Sequence, residues 1–206
     1  RTINKDWFGM PMEEVWRVME DYLYFISFSY EIEILSFVLM NNHFHALMRA
    51  PKNNLGQAMQ YFLANTGRQI TKSTGRINHT WRAKYFKCEI QKESYFLNSY
   101  KYIYRNPVSA DICSRPEEYR YSTLCGLIGE SRLVIPVQDD WVLFNDIQKT
   151  LDWLNESLSE EEELSIGKAL KRKKFKLSIC RRDVNKDIET ILETPIMSNN
   201  SSKRGK

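Results

Sequence analysis

Long apolar runs are missing from this 206-residue chain. No stretch approaches the roughly 20 residues a membrane helix needs, so a membrane partner is not expected. No secretory signal opens the chain. It begins at Arg1 without an initiator methionine and reads as a fragment. Its four cysteines, Cys88, Cys113, Cys125 and Cys180, are scattered, and none forms a C-x-x-C pair. That spacing argues against a structural zinc site and fits the reduced thiols of a cytoplasm. No G-x-S-x-G or paired-acid signature is present. Gly126-Leu127-Ile128-Gly129 is no phosphate loop, because it lacks the lysine and the strand–helix order, and no nucleotide cofactor is expected. Histidine is scarce as well: there are three.

What is present is enough apolar sequence, 42% of residues, for one domain with an appendage. The net charge of +4 is unevenly spread. Between Arg49 and Arg105 eleven lysines and arginines face only Glu89 and Glu93, a local balance of +9. Tyr61, Phe62, Trp81, Tyr85, Phe86, Tyr95 and Phe96 are interleaved with them. Cations that track phosphates beside rings that stack on bases are what a single-stranded nucleic-acid groove requires. The same composition also describes a solvated basic face over an aromatic core.

Periodicity orders the elements. Met12, Val15, Trp16, Met19 and Leu23 recur at helical spacing between Pro11 and Tyr30. Glu31 to Met40 reads as a strand, Asn41-Asn42 as a tight turn and His43 to Ala50 as the return strand. Asn54, with Gln57 three residues on, reads as the cap of a second helix ended by Gly75. Lys84 to Gln91 reads as a further strand. Glu93 to Asn106 reads as a third helix stopped by Pro107. Helix, strand, strand, helix, strand, helix is most of a ferredoxin-like split βαβ sheet, an α+β fold, without its first strand. Trp141 to Leu158 and the segment opened by Glu160–Glu163 read as helices, and the tail after Thr194 as disordered. The expected division is 1–129, a helical C-terminal extension at 130–194, and a tail at 195–206. Lys168 to Lys176 reads either as a phosphate contact or as a solvated basic helix.

Two places could carry chemistry. His43 and His45 are one residue apart on a strand, so they share a face while Phe44 points into the opposite layer. Two imidazoles so placed can share one divalent ion, although two exposed strand histidines give the same pattern. On the third helix, Phe96, Leu97, Tyr100, Ile103 and Tyr104 form an apolar face. Tyr95, Asn98, Tyr102 and Asn106 lie opposite, flanked by Lys101 and Arg105. Tyr102 and Asn106, four apart, are neighbours. A phenol near pKa 10 needs a metal or cation to act as a nucleophile at neutral pH. A polar tyrosine on a wet helix face is the plainer reading. His79 lies outside the H-x-H face and reads as structural or DNA-contacting.

Taken together, these motifs resemble a family. Phe37–Leu47 (FVLMNNHFHAL) resembles the metal-binding strand of the single-tyrosine HUH transposases. Tyr102–Val108 (YIYRNPV) resembles the tyrosine helix of their REP-associated branch. Gly75–Arg82 (GRINHTWR) and Pro116–Thr123 (PEEYRYST) are similar to the family's blocks before the last core strand and after that helix. The resemblance covers about residues 1–129. It implies His43 and His45 as metal ligands, Asn106 as a further polar ligand, and Tyr102 as nucleophile. Mg²⁺ or Mn²⁺ is the implied cofactor, and single-stranded or hairpin DNA the implied partner, within a bacterial cytoplasm and often in a homodimer. The reaction implied is cleavage and rejoining of DNA through a 5′-phosphotyrosine link. Arg68, Lys72, Arg76, Arg82, Lys84, Lys101 and Arg105 are the expected DNA-binding residues. A non-catalytic hairpin-binding protein on the same fold is the alternative, and replication-initiator or relaxase chemistry on the HUH scaffold is a further rival.

Overall fold

A computed structural model describes residues 1–75, 79–82, 85–138 and 145–177. The described residues fall into two compact units. One draws on Arg1–Phe86 and Ile103–Asp139. The other draws on Lys87–Tyr102 and the C-terminal region.

The first unit is built on a helix and a hairpin. Helix α1 spans Met12–Ser29 and buries Val15, Trp16, Met19, Leu23 and Ile26 along one stripe, as their spacing predicts. Strand β1, Glu33–Met40, pairs antiparallel with β2, His43–Arg49, across Asn41-Asn42. A bulge between Ile34 and Ser36 shifts the register. Helix α2, Leu55–Thr74, closes over the same core and ends at Gly75, whose φ of +63° is the left-handed conformation of a glycine cap. The hairpin flanked by helices is a truncated ferredoxin-like core.

Side-chain alternation in β2 decides which face carries the site. Phe44 turns toward the helices, with ring centroids 5.4 Å from Phe37, 5.6 Å from Phe62 and 5.6 Å from Trp81. His43 and His45 therefore project from the opposite face of the sheet. The outer edge of β1 is covered by the segment that follows the third helix. Leu39 N donates to Tyr121 O at 2.9 Å and Phe37 N to Thr123 Oγ1 at 3.0 Å. Tyr119 Oη donates to Leu39 O at 2.6 Å. Beside the start of β2, Thr2 N donates to Asn42 O, while Ile3 N and Arg82 N bond to Thr80 O and Arg1 O. Residues 1–3 are thus bonded on one side to the hairpin turn and on the other to Thr80 and Arg82.

Three expectations are corrected. Tyr85–Gln91 forms no strand; its one backbone bridge joins Glu89 to Lys174. A strand exists only with a partner, and this segment finds one a single residue long. Asn54 makes no side-chain cap on α2, because its Nδ2 donates instead to Tyr30 O at 2.8 Å. Helix α3 runs Glu93–Ser109 with Pro107 inside it. Proline there removes one amide from the closing turn, and the chain turns away at Asp111, whose φ is +54°.

In the second unit the first part of α3 packs with two C-terminal helices, α5 (Ile147–Asn155) and α6 (Glu160–Leu170); the five-residue α4, Thr123–Leu127, belongs to the first unit. Ser159 caps α6 in a capping box with Glu162, as the acidic run there predicts for a helix start. The expected helix from Trp141 is described from Ile147 to Asn155, and its first residues lie outside the described ones. The tail at 195–206 lies outside them too.

Candidate metal centre and nucleophile

The turn at Asn41-Asn42 delivers the two histidines of β2 together. Their Nε2 atoms are 3.1 Å apart, with ring centroids at 4.9 Å. Two ligands roughly 2.1 Å from one ion and at right angles to each other are about 3.0 Å apart. The pair therefore fits one edge of an octahedral ion.

The neighbouring asparagine sets the chemistry of His43. Asn42 Nδ2 donates to Lys5 O at 2.7 Å, which fixes the direction of its amide. Its Oδ1 then accepts from His43 Nδ1 at 2.7 Å. An amide oxygen cannot donate, so His43 carries its proton on Nδ1 and turns the lone pair of Nε2 toward His45. Such outer hydrogen bonds orient metal ligands. Burial, then the charge of His45, lowers the His43 pKa to about 3; burial, then Arg1, lowers that of His45 to about 4. Both rings are neutral at physiological pH, the form that binds metal. Among the described residues no three His, Cys, Asp or Glu side chains converge. Amide, water and substrate oxygens would complete the coordination.

Sequence reasoning treated Asn42 only as a turn residue; the signal was its place directly before the first histidine. Asn42→Ala should lower Mn²⁺ affinity by about 10- to 100-fold while leaving the hairpin intact. Isothermal titration with Mn²⁺ beside a far-UV spectrum measures this. Unchanged affinity would rule out the orienting role.

On α3 the apolar face is as expected at Tyr100, Ile103 and Tyr104, all buried. Tyr104 Oη bonds Thr123 Oγ1 at 2.9 Å, which commits it to the core. Tyr102 is half-buried in the second unit, and burial followed by the Glu163 charge raises its pKa. Asn106 is half-buried in the first unit, where its carbonyl accepts from Ala110 N.

The expected DNA-binding residues separate into three groups. Arg68, Lys72 and Arg82 are exposed, and Arg68 Nη1 donates to Asn65 Oδ1 at 3.3 Å. Arg76 and Lys84 lie outside the described residues. Lys101 and Arg105 are buried, 2% and 7% exposed. The Lys101 ammonium sits over the Trp153 ring, 5.3 Å from its centroid, and 3.7 Å from Glu156 Oε2. Those partners come from α5 and the residue that ends it, about fifty residues further along the chain, and no local pattern announces them.

A hairpin under two helices, with paired, half-buried imidazoles on the face opposite Phe44, defines an HUH-type core. A family model described as "Transposase IS200 like" matches residues 10–106, and over that span the chain is similar to the IS200-like transposases. The family's chemistry is that of tyrosine transposases and nucleases, metal-dependent as is typical of HUH enzymes. Neither the curated proteins nor the solved structures compared gave a match. Among the described residues no helix is long and apolar enough to cross a membrane.

Proposed function

We propose that this chain cleaves and rejoins single-stranded hairpin DNA, in the manner of the REP-associated branch, with Tyr102 as nucleophile. The carrying observation is the convergence of His43 and His45 Nε2 at 3.1 Å on the strand that resembles the family's metal site. A bound Mg²⁺ or Mn²⁺ would withdraw charge from the scissile phosphate, and the nitrogen ligands favour Mn²⁺. His43 and His45 would hold that ion, and Asn106 would be a further oxygen donor. Tyr102 Oη attacks phosphorus and loses its proton. The P–O3′ bond breaks, the 3′ oxygen leaves as a hydroxyl, and the 5′ phosphate stays on the tyrosine. Attack by another 3′-OH reverses the step and regenerates the phenol, so no ATP is consumed. The division into a catalytic span at 1–129 and an extension after it, action as a homodimer, and residence in a bacterial cytoplasm belong to the same reading.

Arg68 and Lys72 lie seven and eleven residues after Tyr61 along α2, so the ring and both cations share one stripe. The reading predicts stronger binding to hairpin or single-stranded DNA than to blunt duplex, with a steep salt dependence. Arg68→Ala and Lys72→Ala should each reduce the slope of log K against log salt by about 0.7 to 0.9 and leave the rate at saturating DNA unchanged. Fluorescence anisotropy across a salt series, with cleavage gels in Mn²⁺ and in EDTA, tests both parts. Equal, salt-independent affinity for blunt duplex would refute the substrate. Cleavage that persists in EDTA would refute the metal.

A further inference from the structure

The Tyr102 side chain lies against the C-terminal extension. With Tyr95 it packs against the apolar cluster formed by Ile166 and Ala169 of α6 and by Phe175. Gly167 of that helix faces the ring. A Cβ added there would stand 3.4 Å from Tyr102 Oη, and 3.9 and 4.0 Å from two ring carbons. Glycine is disfavoured in a helix interior relative to alanine. The backbone of Gly167 does not take the left-handed conformation that would call for one. The phenol lies where a side chain longer than alanine's would extend, while a bare methyl there would only touch it.

Helix α6 is also fastened to the segment that leads into Tyr102. Glu89 N donates to Lys173 O, and Phe175 N to Glu89 O, both at 2.9 Å. Cys88 Sγ reaches Ala169 O at 3.6 Å, and the Tyr95 and Phe175 rings lie 4.8 Å apart. Glu163, one turn before Gly167, shares its helix face. The helix start is held by the Ser159–Glu162 box. Every one of these contacts lies within the second unit, and all of α6 lies beyond the residues matched by the family.

We propose that Gly167 is a positioning residue for Tyr102, and that α6 is the seat that holds the phenol oxygen in one place for attack. This rests on Tyr102 being the nucleophile. A side chain at 167 that reaches beyond a methyl displaces the phenol, and a displacement of about 1 Å at a reacting atom costs roughly 100-fold in rate.

The experiment uses the full chain with 3-fluorotyrosine at position 102, as wild type, Gly167→Ala and Gly167→Leu. The ¹⁹F resonance reports the phenol's surroundings without any chemistry. Single-turnover rates at saturating hairpin DNA in Mn²⁺, and hairpin Kd, report its use. Gly167→Leu should shift the resonance and lower the rate by roughly 100-fold at unchanged Kd. Gly167→Ala, whose methyl just fits at 3.4 Å, should shift the resonance slightly and keep a rate close to wild type. An unmoved resonance in both variants overturns the seat. So does a rate in Gly167→Leu that is unchanged or raised, which would make α6 an obstruction. Should Gly167→Leu not fold, the alanine resonance decides: no shift overturns the proposal. Tyr102→Phe separates the two readings, because an adduct that persists there defeats the nucleophile, while the ¹⁹F shift still tests the contact.

Discussion

Tyr102→Phe should abolish the covalent protein–DNA adduct and leave hairpin binding at the wild-type level. The change removes one oxygen from a half-buried ring in a satellite cluster, so the stability cost should be no more than about 1 kcal/mol. The effect on chemistry is total, because without the oxygen no phosphotyrosine can form. Tyr104→Phe is the control. Its hydroxyl is buried against Thr123 Oγ1 at 2.9 Å, and that threonine in turn receives Phe37 N. Losing it should cost about 1 to 2 kcal/mol in urea denaturation and leave the adduct rate intact. The two phenols, two residues apart on one helix, thus exchange roles: one is dispensable for folding, the other for catalysis. A denaturing gel of labelled hairpin in Mn²⁺ decides it. A covalent band that survives Tyr102→Phe and vanishes in Tyr104→Phe would mean that the wrong tyrosine has been named. No band in the wild type, despite tight hairpin binding, would favour a binding protein without catalysis.

The histidine pair gives the second large effect. His43→Ala or His45→Ala should lower the Mn²⁺-dependent rate by more than about 100-fold, beyond what loss of an outer-shell partner does. The pH dependence is the sharper test. With pKa values of about 3 and about 4, both rings stay neutral well below the ordinary 6.5. Mn²⁺ affinity should therefore hold from neutral pH down to about pH 5, where an ordinary histidine pair would already be protonated. Stability of the metal-free chain follows the same linkage. A depressed histidine pKa means that the unfolded state binds more protons between the folded value and 6.5. The pair's contribution is thus complete above about pH 6.5 and is lost as pH falls toward about 4 and then 3. Titration calorimetry at several pH values, with denaturation in EDTA, measures both. Metal affinity that already fails near pH 6.5 would contradict this account of the site.

Local periodicity carried much of the fold. The α1 stripe, the Asn41-Asn42 turn and the alternation that sends Phe44 one way and the histidines the other depend on neighbours in sequence. So does the apolar face of α3 at Tyr100, Ile103 and Tyr104. What went unread depends on partners far along the chain. Lys101 looks like a surface cation until Trp153 of α5 and Glu156, the residue that ends it, close over it. Tyr85–Gln91 has strand-like composition but gains only one bridge, to Lys174. Asn54 has a cap's chemistry, yet Tyr30 O competes for its amide. Pro107 marks a helix end in most contexts, but here it falls two residues before the last one, where a single lost amide is cheap. Tyr102 and Gly167 are sixty-five positions apart in the sequence, and no short window contains both.

The two strands of the hairpin are unequally held. β1 is bonded along β2 on one side and to Tyr121 and Thr123 on the other. Among the described residues the sheet has two strands, so β2 has one strand neighbour. Hydrogen exchange in these residues should therefore be slower in β1 than in β2, the strand that carries His43 and His45. An ion clamped between them would fasten β2 through its side chains where its backbone is held least, so metal should slow exchange at His43–Arg49 far more than at Glu33–Met40.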